Sequence, residues 1–357
     1  MSTIGLRIRQ ARRRRGLSLR DLAHGGAAVS ATTLSKYERG ESAPDSATLL
    51  RISESLGYGV EYFLRPVRVG EIEPAYRKGD GLTKREQGQV VEEVRDWLER
   101  YLEAERVWGE AQLFARPEGC PYPVGSFDDV EEAAVRLRQA WQIGLDPVED
   151  LTGHLEDNGV RVGRVAAPAD FDACAFWADA DGAVPVVATN RDRPGDRQRY
   201  NLAHELGHLV LAVEENKSAG FTEEKACHRF AGAFLAPRPT LVADLGEKRK
   251  RLSPNELLIL KQKYGLSMNA LVYRAHDLGV IPEAEKRRLF DAFEAVGWRE
   301  EEPGEPVEVE EPTRFRLLVL QALSEGLIGR RRAEELYTEG PLTTAAEGRL
   351  LGPFALA

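Results

Sequence analysis

Tyr200-Asn201-Leu202-Ala203-His204-Glu205-Leu206-Gly207-His208-Leu209-Val210 is the stretch from which the rest of the chain can be read. It sets an H-E-x-x-H pattern inside an apolar run. On a helix, residues four apart stand one turn apart on the same face. His204 and His208 therefore bring two imidazole nitrogens within reach of one metal ion. Glu205 lies beside them and can take a proton from a water activated there. The pattern is the signature of a metal-dependent peptidase.

A catalytic zinc usually takes three protein ligands and leaves one position open. The remaining histidines are His24, His154, His228 and His276. The best source of a third ligand is the helix expected from Glu223 to Pro237. There Glu224 and His228 stand one turn apart on one face, while Cys227 points elsewhere and is expected in the core. Upstream, helices are expected from Asp128 or Asp129 and from Val148 to about Asn158. Val160 to Val165 then alternates like a strand, and Cys174 to Ala178 and Val184 to Thr189 look like two more.

Here the chain resembles the ImmA/IrrE family of metallopeptidases. The residues that carry the resemblance are Arg197-Gln198-Arg199-Tyr200, His204-Glu205-Leu206-Gly207-His208, Glu224, Cys227-His228, Phe230-Ala231, Leu235 and Pro237. Leu155-Glu156-Asp157-Asn158-Gly159-Val160 and Phe171-Asp172 match as well. The resemblance implies a zincin-like body in which Glu224 completes a His/His/Glu site with His204 and His208, and Glu205 is the general base. It implies zinc, with manganese also compatible with these ligands. His228 stands where the family often has Asn. It either supports Glu224 or donates a hydrogen bond to a tetrahedral oxyanion, against the plainer role of bonding to a backbone carbonyl. In zinc peptidases of this design an edge strand pairs with the extended substrate. Val184 to Thr189 is either that strand or an ordinary buried one.

The bulk numbers bound the rest. A chain of 357 residues suggests two or three domains, and 42% hydrophobic content can fill real cores. No apolar run reaches the ~20 residues that a membrane span needs, so no membrane partner is expected. The basic N-terminus lacks the apolar stretch of a secretory signal. Three scattered cysteines (Cys120, Cys174, Cys227) do not make a disulfide framework, which suggests the cytoplasm. The net charge of −9 hides an asymmetry: residues 1–65 hold eleven Arg/Lys against six Asp/Glu, a net +5, leaving −14 elsewhere. A basic head on an acidic body suggests that only the head meets nucleic acid.

In that head, Ile4, Ile8 and Ala11 lie on one helical face, and Gly16 stops the helix. Ser18 and Asp21 form a capping box for a short second helix, and Ser30 caps a third that Gly40 closes. Leu17-Ser18, Leu22-Ala23, Val29-Ser30, Leu34-Ser35-Lys36-Tyr37-Glu38-Arg39-Gly40, Pro44 and Leu49-Leu50-Arg51-Ile52 resemble the XRE/phage-repressor type of helix-turn-helix. That implies a third helix in the major groove of an operator, with Thr32, Thr33 and Lys36 at or near base edges. It implies phosphate clamps at Arg20 and at Arg12, Arg13 and the two arginines after them. Leu19 stands where the family usually has Gln, and the turn at Gly25-Gly26 is one residue longer than usual.

Beyond the head, Thr83 and Glu86 make a capping box for a long helix to about residue 110. Its apolar residues Val90, Val94, Trp97, Tyr101, Ala104 and Trp108 form a short heptad-like seam. The seam suits a homodimer contact, since such heads usually read paired half-sites, or packing on the chain's own body. Glu118 to Gly125 reads as a loop. Leu252 to Tyr264 and Met268 to Ala275 are expected helices of a packing module, residues 299–312 a Glu/Pro-rich extended linker, and Arg314 to Leu323 and Arg331 to Leu336 a last helical pair.

The expected architecture is α+β multidomain: an all-α helix-turn-helix head (1–65), a linker and long helix (66–126), an α/β metallopeptidase body (127–243), and a helical C-terminal region (a module at 244–300, then linker and helices at 301–357). The fusion implies a cytoplasmic, nucleoid-associated regulator that binds an operator and cuts itself or a partner helix-turn-helix repressor. The alternative is a ligand-sensing regulator whose metal site is not proteolytic.

Overall fold

The computed structural model describes residues 3–70, 72, 81–109, 111–180 and 182–342. It is an α+β multidomain chain with a helical head, a mixed α/β middle and a helical C-terminal region.

The head packs α1 (Thr3–Arg14), α2 (Leu19–Leu22), α3 (Ala31–Arg39), α4 (Ser46–Leu56) and α5 (Val60–Leu64) around Ile8, Leu22, Leu34, Ile52 and Phe63. Ser18 and Asp21 make the expected capping box on α2, and Ser30 caps α3 by accepting from the Thr33 N–H. The long turn has a physical solution. Residues Ala23–Ala27 continue α2 as a wider π-type turn, and Gly26 takes φ +111°, which glycine alone adopts freely.

Next comes α6 (Lys84–Trp108), with the expected Thr83/Glu86 capping box. The stripe from Val90 to Ala104 is buried within the chain itself. It lies against Phe171, Phe176 and Val186 on one side and Phe315 and Leu318 on the other. This corrects the dimer-contact reading of the seam, because those side chains are already covered. On another face, Glu93 and Asp96 of α6 pair with Arg14, and Glu99 pairs with Arg7. The acidic helix thus holds the basic head to the body.

The middle holds β1 (Tyr122–Val124), α7 (Phe127–Ala140), α8 (Leu151–Asp157), β2 (Arg161–Val165), β3 (Ala173–Asp179), β4 (Ala183–Asn190), α9 (Gly195–Val210), β5 (Leu211–Val213) and α10 (Glu223–Leu235). The main sheet has the order β2-β4-β3, with β4 parallel to β2 and antiparallel to β3. Alternation puts Val186 and Ala188 on the α6 face and Val187 on the α9 face. The sheet is therefore covered on both sides. Gly163 lets β2 approach α6, since a Cβ there would lie 2.8 Å from the Trp97 ring. The loop expected at 118–125 contains β1, which pairs in parallel with β5. Three residues broken by Pro123 are too few to show an alternation in sequence.

The C-terminal region runs through α11 (Arg238–Leu245), α12 (Pro254–Tyr264), α13 (Met268–Asp277), α14 (Glu283–Ala295), α15 (Arg314–Ser324) and α16 (Arg330–Leu336). The Glu/Pro-rich segment before α15 is pinned along its length. Glu302 accepts from Lys261 and from the backbone N–H of Met268 and Asn269. Glu310 pairs with Arg199 and accepts from the Thr152 N–H, and Glu311 pairs with Arg164. Gly195 opens α9 beneath this strap, where a Cβ would meet the Val307 carbonyl at 2.3 Å.

Candidate metal centre

Helix α9 is buried on nearly every side, because the sheet covers one face and α10 the other. Its polar residues are consequently buried too, and each needs a partner. Gly207 in the middle of the motif lets α10 come close, with Cys227 atoms 3.3 Å from where a Cβ would stand. That close approach brings the second helix's carboxylate to the two histidines.

His204, His208 and Glu224 converge, their ligand atoms all within 4.8 Å of one another. His204 Nε2 lies 3.6 Å from one Glu224 oxygen, and His208 Nε2 lies 3.7 Å from the other. Zinc–nitrogen and zinc–oxygen bonds of about 2.0–2.1 Å in a tetrahedron place ligand atoms roughly 3.4 Å apart. The donor set and its spacing fit a divalent cation. His204 is 1% exposed, whereas the Glu224 side chain is 47% exposed. The site thus has a buried floor and an open side.

Two neighbours hold the histidine rings, and neither was singled out by the motif. Glu223 Oε1 lies 3.1 Å from His208 Nδ1, the arrangement in which a carboxylate fixes the tautomer of a ligating histidine. The Tyr200 hydroxyl lies 3.1 Å from His228 Nδ1 and 3.3 Å from the His228 carbonyl oxygen. The His228 ring in turn stands 4.4 Å from that of His204. Tyr200 sits one turn before His204 on α9, so helical spacing carried a signal for it. Glu223 carried none, because adjacent helix positions do not share a face. Glu205 is buried beside Cys174, whose thiol is pushed far up by burial and by the Glu205 charge, so that sulfur is no nucleophile.

A groove of about 390 Å³ opens from His208 and Glu223 along Ala175 to Asp179 of β3. Its other wall is the connector after the head, at Val69, Gly70 and Ile72. Among the described residues β3 pairs on one side only, with β4. The strand with a free edge beside the site is therefore β3. The strand expected from 184 to 189 is the central one, which settles it as the buried strand.

On the head, Thr32, Lys36 and Arg20 are exposed, and Thr33 is partly exposed with its hydroxyl 2.9 Å from that of Ser30. Arg12 is placed differently from the expectation. Its guanidinium donates to both Glu38 oxygens and to the Leu17 carbonyl, inside the head. Arg13 lies 3.7 Å from Glu92, and the next arginine pairs with Glu93 and Asp96. Arg12 and the arginine after Arg13 are turned toward α3 and α6, while the Arg13 side chain stays 42% exposed.

A helix-turn-helix head joined to an α/β domain that gathers two histidines and a carboxylate defines the class: a DNA-binding type of head with a metallopeptidase-type domain. Comparison with known families places both halves. Residues 8–63 match the helix-turn-helix family model, and residues 167–276 match that of the IrrE N-terminal-like domain, of the M78 peptidases. No curated protein matches the chain.

Proposed function

We propose that this chain is a transcriptional regulator that ends its own action, or that of a partner helix-turn-helix repressor, by metal-dependent peptide-bond hydrolysis. The observation that carries the reading is the convergence of His204, His208 and Glu224 at one open-sided point, in a domain that matches a peptidase family. The three ligands would hold zinc, with manganese also compatible. A divalent cation there would polarise a carbonyl and make water more acidic. Glu205 accepts the water's proton and returns it to the leaving amine. His228, steadied by Tyr200, faces the tetrahedral oxyanion. The substrate adds as an extended strand to the outer edge of β3. Arg13, Arg20, Thr32, Thr33 and Lys36 form the operator contacts, and Arg12 serves the head's core instead.

The chain's own connector is the favoured substrate, because Val69, Gly70 and Ile72 already line the groove at His208. Of residues 66–82, positions 71 and 73–80 lie outside the described residues. The test is incubation of the full chain with Zn²⁺, followed by mass spectrometry. Wild type yields a cut within 66–82, and Glu205→Gln slows it roughly 10²–10⁴-fold while still holding metal. If a reporter repressed by the wild-type chain is released equally well by the Glu205→Gln chain, the peptidase reading fails.

A further inference from the structure

A small cavity of about 10 Å³ lies beneath the Glu/Pro strap, where α8, the main sheet and the start of α9 meet. Thr152 of α8, Val162 of β2, Thr189 of β4, Leu202 of α9 and Glu310 of the strap are among the residues that line it. Thr152 and Thr189 are each 1% exposed, and neither hydroxyl has a hydrogen-bond partner among the described residues. Thr152 sits in the first turn of α8, so no helical carbonyl stands four residues before it to accept from its hydroxyl. The carbonyl at that position, of Val148, accepts from Arg199 instead. Thr189 lies two residues past Val187, on the α9 face of β4. A buried hydroxyl left without a partner is costly, and two that line one cavity point to something bound between them.

The other polar groups of the lining are already engaged. The Gln198 amide accepts from Arg164 and donates to the carbonyls of Arg191 and Arg193. Glu310 takes Arg199 with one oxygen and the Thr152 N–H with the other, at 2.7 Å. Arg199 turns its Nε toward Gly265, where a Cβ would stand 2.6 Å away. Only the two hydroxyls remain. One water fills roughly 10–15 Å³ of such space and needs about two to four polar partners, so the cavity has room for a single water and for no organic molecule. A hydroxyl can give or take a hydrogen bond, and so can water, which lets one molecule serve both threonines. We infer that this cavity is a binding site for one water molecule, held between the hydroxyls of Thr152 and Thr189. That water joins α8 to the central strand of the sheet at the place where Glu310 docks. It is thus part of what the strap closes over at the start of the metal-bearing helix. The site stands whether or not the metal centre cuts peptide bonds.

The test is a crystal structure of the full chain at a resolution that shows ordered water, with a double-mutant cycle in urea beside it. One peak should stand within hydrogen-bond distance, roughly 2.5–3.0 Å, of both hydroxyls. Thr152→Val and Thr189→Val should each lower the urea midpoint, because each leaves the water with one partner fewer. The double variant should lose less than the two single losses together, since both hydroxyls answer to the same water. Circular dichroism confirms that each variant is folded. Losses that simply add overturn the bridge, as does a map with no peak between two clearly placed threonines. A peak that bromide replaces in soaked crystals, seen by its anomalous signal, marks a halide site and overturns the water.

Discussion

The arginine run at 12–15 and the His204/His208/Glu224 cluster are both concentrations of charge that sequence spacing singles out, yet they fold to opposite ends. The two histidines share a face, as their helical spacing requires, and the Glu224 carboxylate meets them from α10 at one open-sided point. The arginines scatter around α1: Arg12 turns to Glu38, Arg13 and the residue after it turn to α6, and the fourth donates to the Leu56 carbonyl. Four consecutive positions spread over about 300° around a helix axis and cannot share a target. Positions four apart do share one. Spacing therefore reports which side chains can act together, and a run of like residues does not.

Arg12→Ala is the strongest way to break that contrast. The Arg12 and Glu38 side chains are only 13% and 8% exposed, so the substitution strands a buried carboxylate. Loss of one partner from such a pair costs roughly 3–5 kcal/mol, and the head's melting transition should fall accordingly. Unchanged melting together with a shallower salt dependence of DNA binding would return Arg12 to the phosphate contacts.

Glu156 extends the comparison to a charge that no spacing marked. It accepts from the backbone N–H of Thr313 at 2.9 Å and Arg314 at 3.2 Å, which favours the carboxylate. Burial outweighs these bonds and pushes the carboxyl up from 4.5 to about 7. The folded state therefore binds this proton more tightly than the unfolded chain does. Its contribution is complete below about pH 4.5 and is lost as the pH rises to about 7, at most about 3 kcal/mol. Urea midpoints at pH 5 and pH 8 should differ less in Glu156→Gln than in wild type; an equal difference would assign the effect elsewhere.

Glu223→Gln sharpens the metal side of the contrast. It leaves all three ligands in place and removes only the carboxylate that orients His208. Metal affinity, read against a chromophoric chelator, should fall about 10–100-fold. An unaltered affinity would make the 3.1 Å contact incidental. The smallest effect belongs to Lys36→Ala on the exposed face of α3. Stability should stay within about 0.5 kcal/mol while the salt slope of DNA binding drops by about one. A slope that does not move would remove Lys36 from the interface.

What was legible in sequence was local. The helix bearing His204 and His208, the capping boxes at Ser18 and Thr83, and the three strands of the main sheet follow from periodicity and end signals. What was not legible depended on who lies beside whom. Alternation tells the two faces of β4 apart but says nothing of its neighbours, so its central place was hidden. The seam of α6 reads the same whether it meets another copy or the chain's own Phe176 and Phe315. The Glu/Pro segment had the composition of a linker, and its pairing with Arg199, Arg164 and Lys261 joins residues far apart in the chain.

That last pairing has a consequence for the order of synthesis. Helix α9 leaves the ribosome about a hundred residues ahead of Glu302, Glu310 and Glu311. At 5–20 residues per second the interval is roughly 5–20 seconds. During it the strap is missing, so Arg164, Arg199 and Lys261 have no carboxylate from it and the start of α9 lies bare. The metal-bearing helix is thus sealed last, after the DNA-reading head has long been complete. Released chains ending at residue 300 should be cut by an added protease near residue 195, and chains ending at 342 should resist. Equal resistance would show that α9 closes without the strap.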